Sequence, residues 1–135
     1  MAFKRIELKQ MAPLKQRRDF LRIAEEGFSA PVSGLVLQGR ERTEYCEVTS
    51  KTFRVGYTVT KKIGNAVKRN RVRRRLRAAV AKVLPEMAAK RFDYVVIGRL
   101  STLDRPFYAL TRDLKMAVEQ IHEAARLKAE QEEDI

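Results

Sequence analysis

Apolar positions along the chain change their period several times, and each change marks an element. Over residues 16–26, Phe20, Ile23 and Ala24 fall at helical spacing and Gly27 supplies a stop, which predicts a first helix. Three short segments rich in β-branched and aromatic residues follow, "GLVLQ" (34–38), "EYCEVT" (44–49) and "FRVGYTVT" (53–60), and these predict strands. In the last of them Phe53, Val55, Tyr57 and Val59 alternate with Arg54, Gly56, Thr58 and Thr60, so one face goes to a core and the other stays small and polar. Period two then gives way to 3.6. Val72, Leu76, Ala79, Val80, Val83 and Leu84 form one helical stripe, while Arg71, Arg73, Arg74, Arg75 and Arg77 occupy the rest of the circumference. Pro85 is expected to end or kink this helix. The continuous apolar run "DYVVIG" (93–98) reads as a strand buried on both faces. Pro106 suits the first turn of a last helix, with Leu110, Leu114, Ala117, Val118 and Ile121 as its packing face.

The predicted order is helix, three strands, helix, strand, helix, an α+β sandwich of helices against one sheet. Residues 53–98 form a strand–helix–strand unit, and a parallel crossover of that kind is right-handed as a general rule. With 135 residues, a single core is expected. We expect one domain over residues 1–127, with residues 1–13 a loosely ordered arm and 128–135 an acidic, frayed tail.

Charge narrows the function. The net charge is +12, and nine of those charges lie in residues 61–77, "KKIGNAVKRNRVRRRLR", which hold no acid. Solvated helix faces mix signs because like charges at i,i+4 repel, and Arg69/Arg73 and Arg73/Arg77 are such pairs. A partner of opposite sign is therefore expected, either nucleic acid or an anionic membrane surface. The stripe of Val, Ala and Leu, without Trp or Phe, suits a protein core better than a bilayer. No run approaches the ~18 apolar residues of a membrane span, and the N-terminal residues lack the apolar stretch of a signal peptide, so a cytoplasmic protein is expected.

The local order of residues adds geometry. Lys61 and Lys62 leave the strand end, Gly64 permits a tight turn, and Asn65 can cap the helix beside Lys68 and Arg69. Asn70, neutral among cations, is placed to fix a phosphate, a ribose hydroxyl or a neighbouring side chain. Guanidinium forks, six here against three lysines, suit bidentate phosphate contacts. Catalytic chemistry is not apparent. The lone His122 reads as a surface or helix-end residue, and the lone Cys46 as a small apolar strand residue with no disulfide partner or zinc cluster. "KKIGN" lacks the two glycines and the GK[ST] of a phosphate-binding loop.

The stretch "GYTVTKKIGNAVKRNRVRRRLR" resembles the signature of the bacterial ribonuclease P protein component, whose "RNR" element corresponds to Arg69, Asn70 and Arg71. "LKQRRDFLRIAEEG", "DYVVIGR" and "FYALTRDL" resemble that family's first helix, later strand and last helix, so the likeness spans residues 14–122. It implies an αβββαβα sandwich with a four-stranded sheet and a left-handed βαβ crossover. It further implies an endoribonuclease subunit without catalytic residues of its own, which assists an RNA subunit in removing the 5′ leader of precursor tRNA. Magnesium would belong to the RNA-containing holoenzyme, and the protein would be a monomer in a 1:1 ribonucleoprotein. The RNA-binding set implied is Lys61, Lys62, Asn65, Lys68, Arg69, Asn70, Arg71, Arg73, Arg74 and Arg77. The leader cleft implied is Phe20 on the first helix with Val36, Arg54, Thr58 and Thr60 on the facing sheet. Two positions depart from the family pattern: Ala24 and Gln38 stand where further aromatics are expected. A non-enzymatic, ribosome-associated RNA-binding protein would share the charge and the missing catalytic groups.

Overall fold

The computed structural model describes residues 10–43 and 52–133. In chain order the elements are β1 (Gln10–Pro13), α1 (Arg17–Glu26), β2 (Phe28–Pro31), β3 (Leu35–Glu41), β4 (Thr52–Thr58), α2 (Ala66–Met87), β5 (Phe92–Gly98) and α3 (Phe107–Glu133). Short 3-10 turns, Lys61–Ile63 and Leu100–Leu103, precede α2 and α3. From α1 onward this is the expected αβββαβα order. The strands behind it differ, because "GLVLQ" and "FRVGYTVT" map to β3 and β4 but the third strand is the short β2. The expected strand at "EYCEVT", with Cys46, lies outside the described residues.

The sheet order is β1-β4-β5-β3-β2, five described strands where four were expected. The fifth comes from the supposed arm. Gln10–Pro13 pairs parallel with β4, Met11 opposite Phe53 and Pro13 opposite Val55, and the Leu14 N–H extends the ladder to the Val55 carbonyl at 2.9 Å. β4 and β5 are parallel neighbours joined through α2, as the crossover unit requires. β3 runs antiparallel to both β5 and β2. Thus β5 is the only link between the pair β1–β4 and the pair β3–β2 among the described strands.

β5 is buried from Phe92 to Val96, which fits its unbroken apolar run. Its side chains alternate between two cores. Tyr94 and Val96 join Leu35, Leu37, Phe53 and Val55 beneath α2 and α3. Val95 joins Leu14 and Ile23 beneath α1 on the opposite face. The predicted packing faces of α2 and α3 are buried residue for residue. On α1 only Ile23 is fully buried; Ala24 is exposed, because α1 meets the sheet along a narrow seam.

Three further expectations are corrected. Pro85 does not end α2, which runs on for two more residues to Met87 and closes with the Ala88 N–H on the Leu84 carbonyl at 2.8 Å. A proline here forfeits only its own bond to the Ala81 carbonyl, and Ala81 is exposed where water can serve. Residues 128–133 are not frayed but continue α3, supported by Arg126 pairing with Glu123 and Glu130 one turn to either side. His122 is half-buried rather than a surface residue: its Nε2 lies 2.6 Å from the Tyr94 hydroxyl and its ring meets Phe92 edge-on. The Ala89 N–H donates to that hydroxyl at 3.0 Å, which leaves the hydroxyl proton for the histidine. Burial pushes the Tyr94 hydroxyl far above its ordinary range, so it stays a donor.

One charged cluster holds the α1 face to the sheet. Asp93, 2% exposed, accepts from Arg42 at 2.7 Å and from Arg54 at 2.8 and 2.6 Å, while Arg54 also reaches Asp19 on α1 at 3.6 Å. Arg42 donates in addition to the Phe92 and Thr52 carbonyls. A buried carboxylate is tolerable only when paired this fully, and removing it strands two guanidiniums. Asp93→Ala is therefore expected to lower the unfolding free energy by about 3–5 kcal/mol in urea denaturation. An unchanged midpoint would show that this cluster is not buried in solution.

Candidate nucleic-acid interface

The basic stretch begins where β4 ends. Thr60 is extended, the turn Lys61–Ile63 follows, and buried Ile63 pins it to the core. Gly64 then takes φ +137, a region closed to most side chains, and redirects the chain into α2. The Asn65 side chain caps the helix by accepting from the Lys68 N–H at 3.0 Å, as its position in the sequence suggested. The cap fixes where α2 starts and so the phase of everything after it.

That phase sorts the cations. Lys61, Lys62, Lys68, Arg71, Arg74 and Arg77 are exposed together with Asn65 and Asn70, while Arg69, Arg73 and Arg75 are half-buried. Among the described residues none of the nine cations forms an ion pair. Asn70 accepts from Arg73 at 3.1 Å, which orders that guanidinium along the helix surface. Arg69 carries a buried Nε with no partner among the described residues. Arg75 serves the fold instead: it donates to the Thr102 carbonyl at 2.8 Å and to the Arg105 carbonyl, clamping the second 3-10 turn onto α2. Arg77 lies over the Tyr57 ring, 5.5 Å from its centroid. Burial raises the Tyr57 hydroxyl pKa, and the Arg77 charge pulls it back only partly.

The α1 face of the sheet carries the other predicted set. Strand register places Val36, Ile97 and Thr58 side by side across β3, β5 and β4, all half-buried. Phe20 on α1 borders this row and rests on Gly56, where any Cβ would overlap the ring at Cζ. Thr60 lies at the exposed end of the same strand, next to Lys61, so the row runs directly into the basic turn. Gln38 falls in the next row, opposite Val95, and Ala24 points away from the sheet side of α1. Phe20 is thus the aromatic of this groove.

Two findings lay beyond sequence reasoning. Arg54, placed in the groove by its alternation, spends its charge on Asp93 and Asp19 and acts as a strut between α1 and the sheet. Ile97 is part of the groove floor and was missed, because an unbroken apolar run hides which alternate residues face outward. The signal available was parity with Asp93, the one charged residue in the run.

No helix among the described residues is long and apolar enough to cross a membrane. A family model described as Ribonuclease P matches residues 8–122. The ribonuclease P protein component of Paramagnetospirillum magneticum is 47% identical over 108 residues, covering 80% of each chain. That of Gluconacetobacter diazotrophicus is 49% identical over 102 residues, covering 76% of this chain and 84% of its own. Among solved structures, the RNase P protein from Thermotoga maritima aligns with TM-score 0.65 at 28% identity over 81% of this chain and 96% of that one. The Staphylococcus aureus RNase P protein aligns with TM-score 0.62 at 27% identity over 86% and 96%.

The contact of Phe20 with Gly56 yields a direct test. Gly56→Ala should destabilise the protein by about 1–3 kcal/mol through overpacking. In a Phe20→Ala background the same change should cost much less, and a double-mutant cycle by chemical denaturation reads the coupling. Additive costs would mean that the ring does not sit on the glycine.

Proposed function

The chain belongs to the ribonuclease P protein component family, a subunit of ribonuclease P, and on that premise we propose that it binds RNA at two joined surfaces while the RNA subunit performs the hydrolysis. The observation that carries this reading is a set of nine cations, none in an ion pair among the described residues, on a turn and helix whose other side is locked in the core. Cations left without acidic partners keep their full attraction for phosphate.

On this reading the RNA subunit is gripped by Lys61, Lys62, Lys68, Arg69, Arg71, Arg73, Arg74 and Arg77, with Asn65 and Asn70 holding the turn and the fork. The 5′ leader of precursor tRNA lies along Phe20, Val36, Ile97, Thr58 and Thr60. A base stacks on Phe20, the threonines offer hydroxyls, and Arg54 positions the groove rather than contacting the strand. With Ala24 and Gln38 in place of aromatics, leader affinity leans on the neighbouring charge of Lys61 and Lys62. The protein brings two polyanions together, and by neutralising phosphates it lowers the magnesium concentration at which they associate.

The described residues around the groove offer no set suited to a magnesium ion. Asp19 and Asp93, the carboxylates beside the groove, already face arginines, and no three His, Cys, Asp or Glu side chains gather as a metal site among the described residues. The reading leaves magnesium to the RNA. A membrane-surface role has no support either, because the apolar stripe of α2 is consumed by the core.

The test is single-turnover cleavage of a leader-bearing precursor tRNA by a bacterial ribonuclease P RNA at low magnesium, with and without the protein. A rate gain that shrinks when the leader is shortened to a single nucleotide supports both surfaces, and no gain despite tight RNA binding overturns the reading. Neutralising six to ten phosphates predicts an affinity loss of about 10³–10⁵ between roughly 50 and 200 mM salt. Arg71→Ala with Arg74→Ala, both exposed, should leave the protein folded with an unfolding transition no lower than that of the wild type, and flatten the slope of log affinity against log salt by about two.

A further inference from the structure

An aromatic patch lies outside both surfaces. At the start of α3 Tyr108 is 72% exposed and Phe107 37%, and Leu100 of the preceding turn is 63% exposed. Exposed apolar side chains occur elsewhere on the chain, Val67 among them, but Phe107 and Tyr108 are the exposed aromatics among the described residues, and they are adjacent. Three observations say what covers them. Lys82 of α2 places its ammonium 5.9 Å from the centroid of the Phe107 ring. Arg75 clamps the turn Leu100–Leu103 to α2, so the patch is held rigidly against the basic helix. Lys68, Arg71 and Lys82 share one side of α2 by helical spacing, spanning about 21 Å up to Phe107, with half-buried Arg75 between them committed to the Thr102 and Arg105 carbonyls.

We infer that an unpaired nucleotide of the partner RNA subunit stacks on Tyr108 and Phe107, at the end of a phosphate track along that side of α2. The inference rests on the RNA-binding reading above and extends it past Lys68 and Arg71 to Lys82 and the start of α3, which that reading does not use. The leader is not the occupant, since its groove lies beneath α1 on the opposite face of the sheet. Stacking rather than charge carries the contact. Arg112 stands one turn beyond Tyr108, but the exposed acids Asp104 and Glu86 on the neighbouring turns offset it and Lys82. Flat, exposed aromatic rings accept any base by its π-face.

The chain contains no tryptophan, which gives the test a clean optical reporter. Tyr108→Trp installs a single fluorophore in the patch, and Leu127→Trp installs one toward the far end of α3. Titrating each full-length variant with ribonuclease P RNA should quench the first strongly and leave the second nearly unchanged, whereas precursor tRNA alone should quench neither. Tyr108→Ala should weaken RNA-subunit binding about five- to hundredfold without altering the salt slope, and Tyr108→Phe should restore it. If the RNA binds, as a mobility shift reports, and the fluorescence of the Tyr108→Trp variant does not change, the stacking site is overturned while the basic surface stands. If wild-type protein gives no shift, the RNA-binding reading and this site fall together. Quenching by precursor tRNA alone would reassign the patch to the substrate and overturn the inference as drawn.

Discussion

A helix bearing six arginines and a lysine without an acidic neighbour in its first three turns repels itself, and burial is what overcomes that repulsion. Each like-charge pair one turn apart costs about 0.2–0.5 kcal/mol, so the several pairs on α2 oppose folding by a few kcal/mol. Val72, Leu76, Val80, Val83 and Leu84 are fully buried, and each contributes about 1.5–3 kcal/mol by leaving water. The apolar stripe wins by a clear margin. Apart from Arg75, which clamps the second 3-10 turn, and Arg77, which rests on Tyr57, the cations have little part in holding the fold, and their charge remains available for a ligand.

The same separation of duties explains what could be read from the sequence. The α2 stripe was legible to the residue because period 3.6 survives whatever the helix packs against. β5 was legible because burial on both faces leaves no polar interruption after Asp93. The turn was legible because Gly64 and Asn65 are chemically suited to one job each. What failed was what depends on distant partners. "QMAP" has no strand period, and it becomes β1 only because β4 offers an open edge. Arg54 looks like a free cation until β5 brings Asp93 beside it. The last turns of α3 look like a polar tail until the spacing of Arg126 between two glutamates is weighed as helical pairing.

The site follows this logic at larger scale. Sheet and helices place a half-buried row, Val36–Ile97–Thr58, next to a capped, positively charged turn, with Phe20 roofing one side. One half is an apolar, hydroxyl-edged surface and the other a concentrated positive potential. The rigidity of the support matters because a flexible basic tail could attract a polyanion equally well yet could not keep the two surfaces at a fixed separation.

The strand order also governs when the protein can exist at all. Among the described strands, β1 and β4 on one side and β2 and β3 on the other meet only through β5, which is specified by residues 92–98. In a nascent chain emerging from the ribosome the two strand pairs therefore cannot be joined until residues 92–98 have been made, and α2 lacks until then the middle of the sheet on which its apolar stripe packs. Until then, the RNA-rich surroundings of the exit site face a strongly basic segment that has nothing else to hold it.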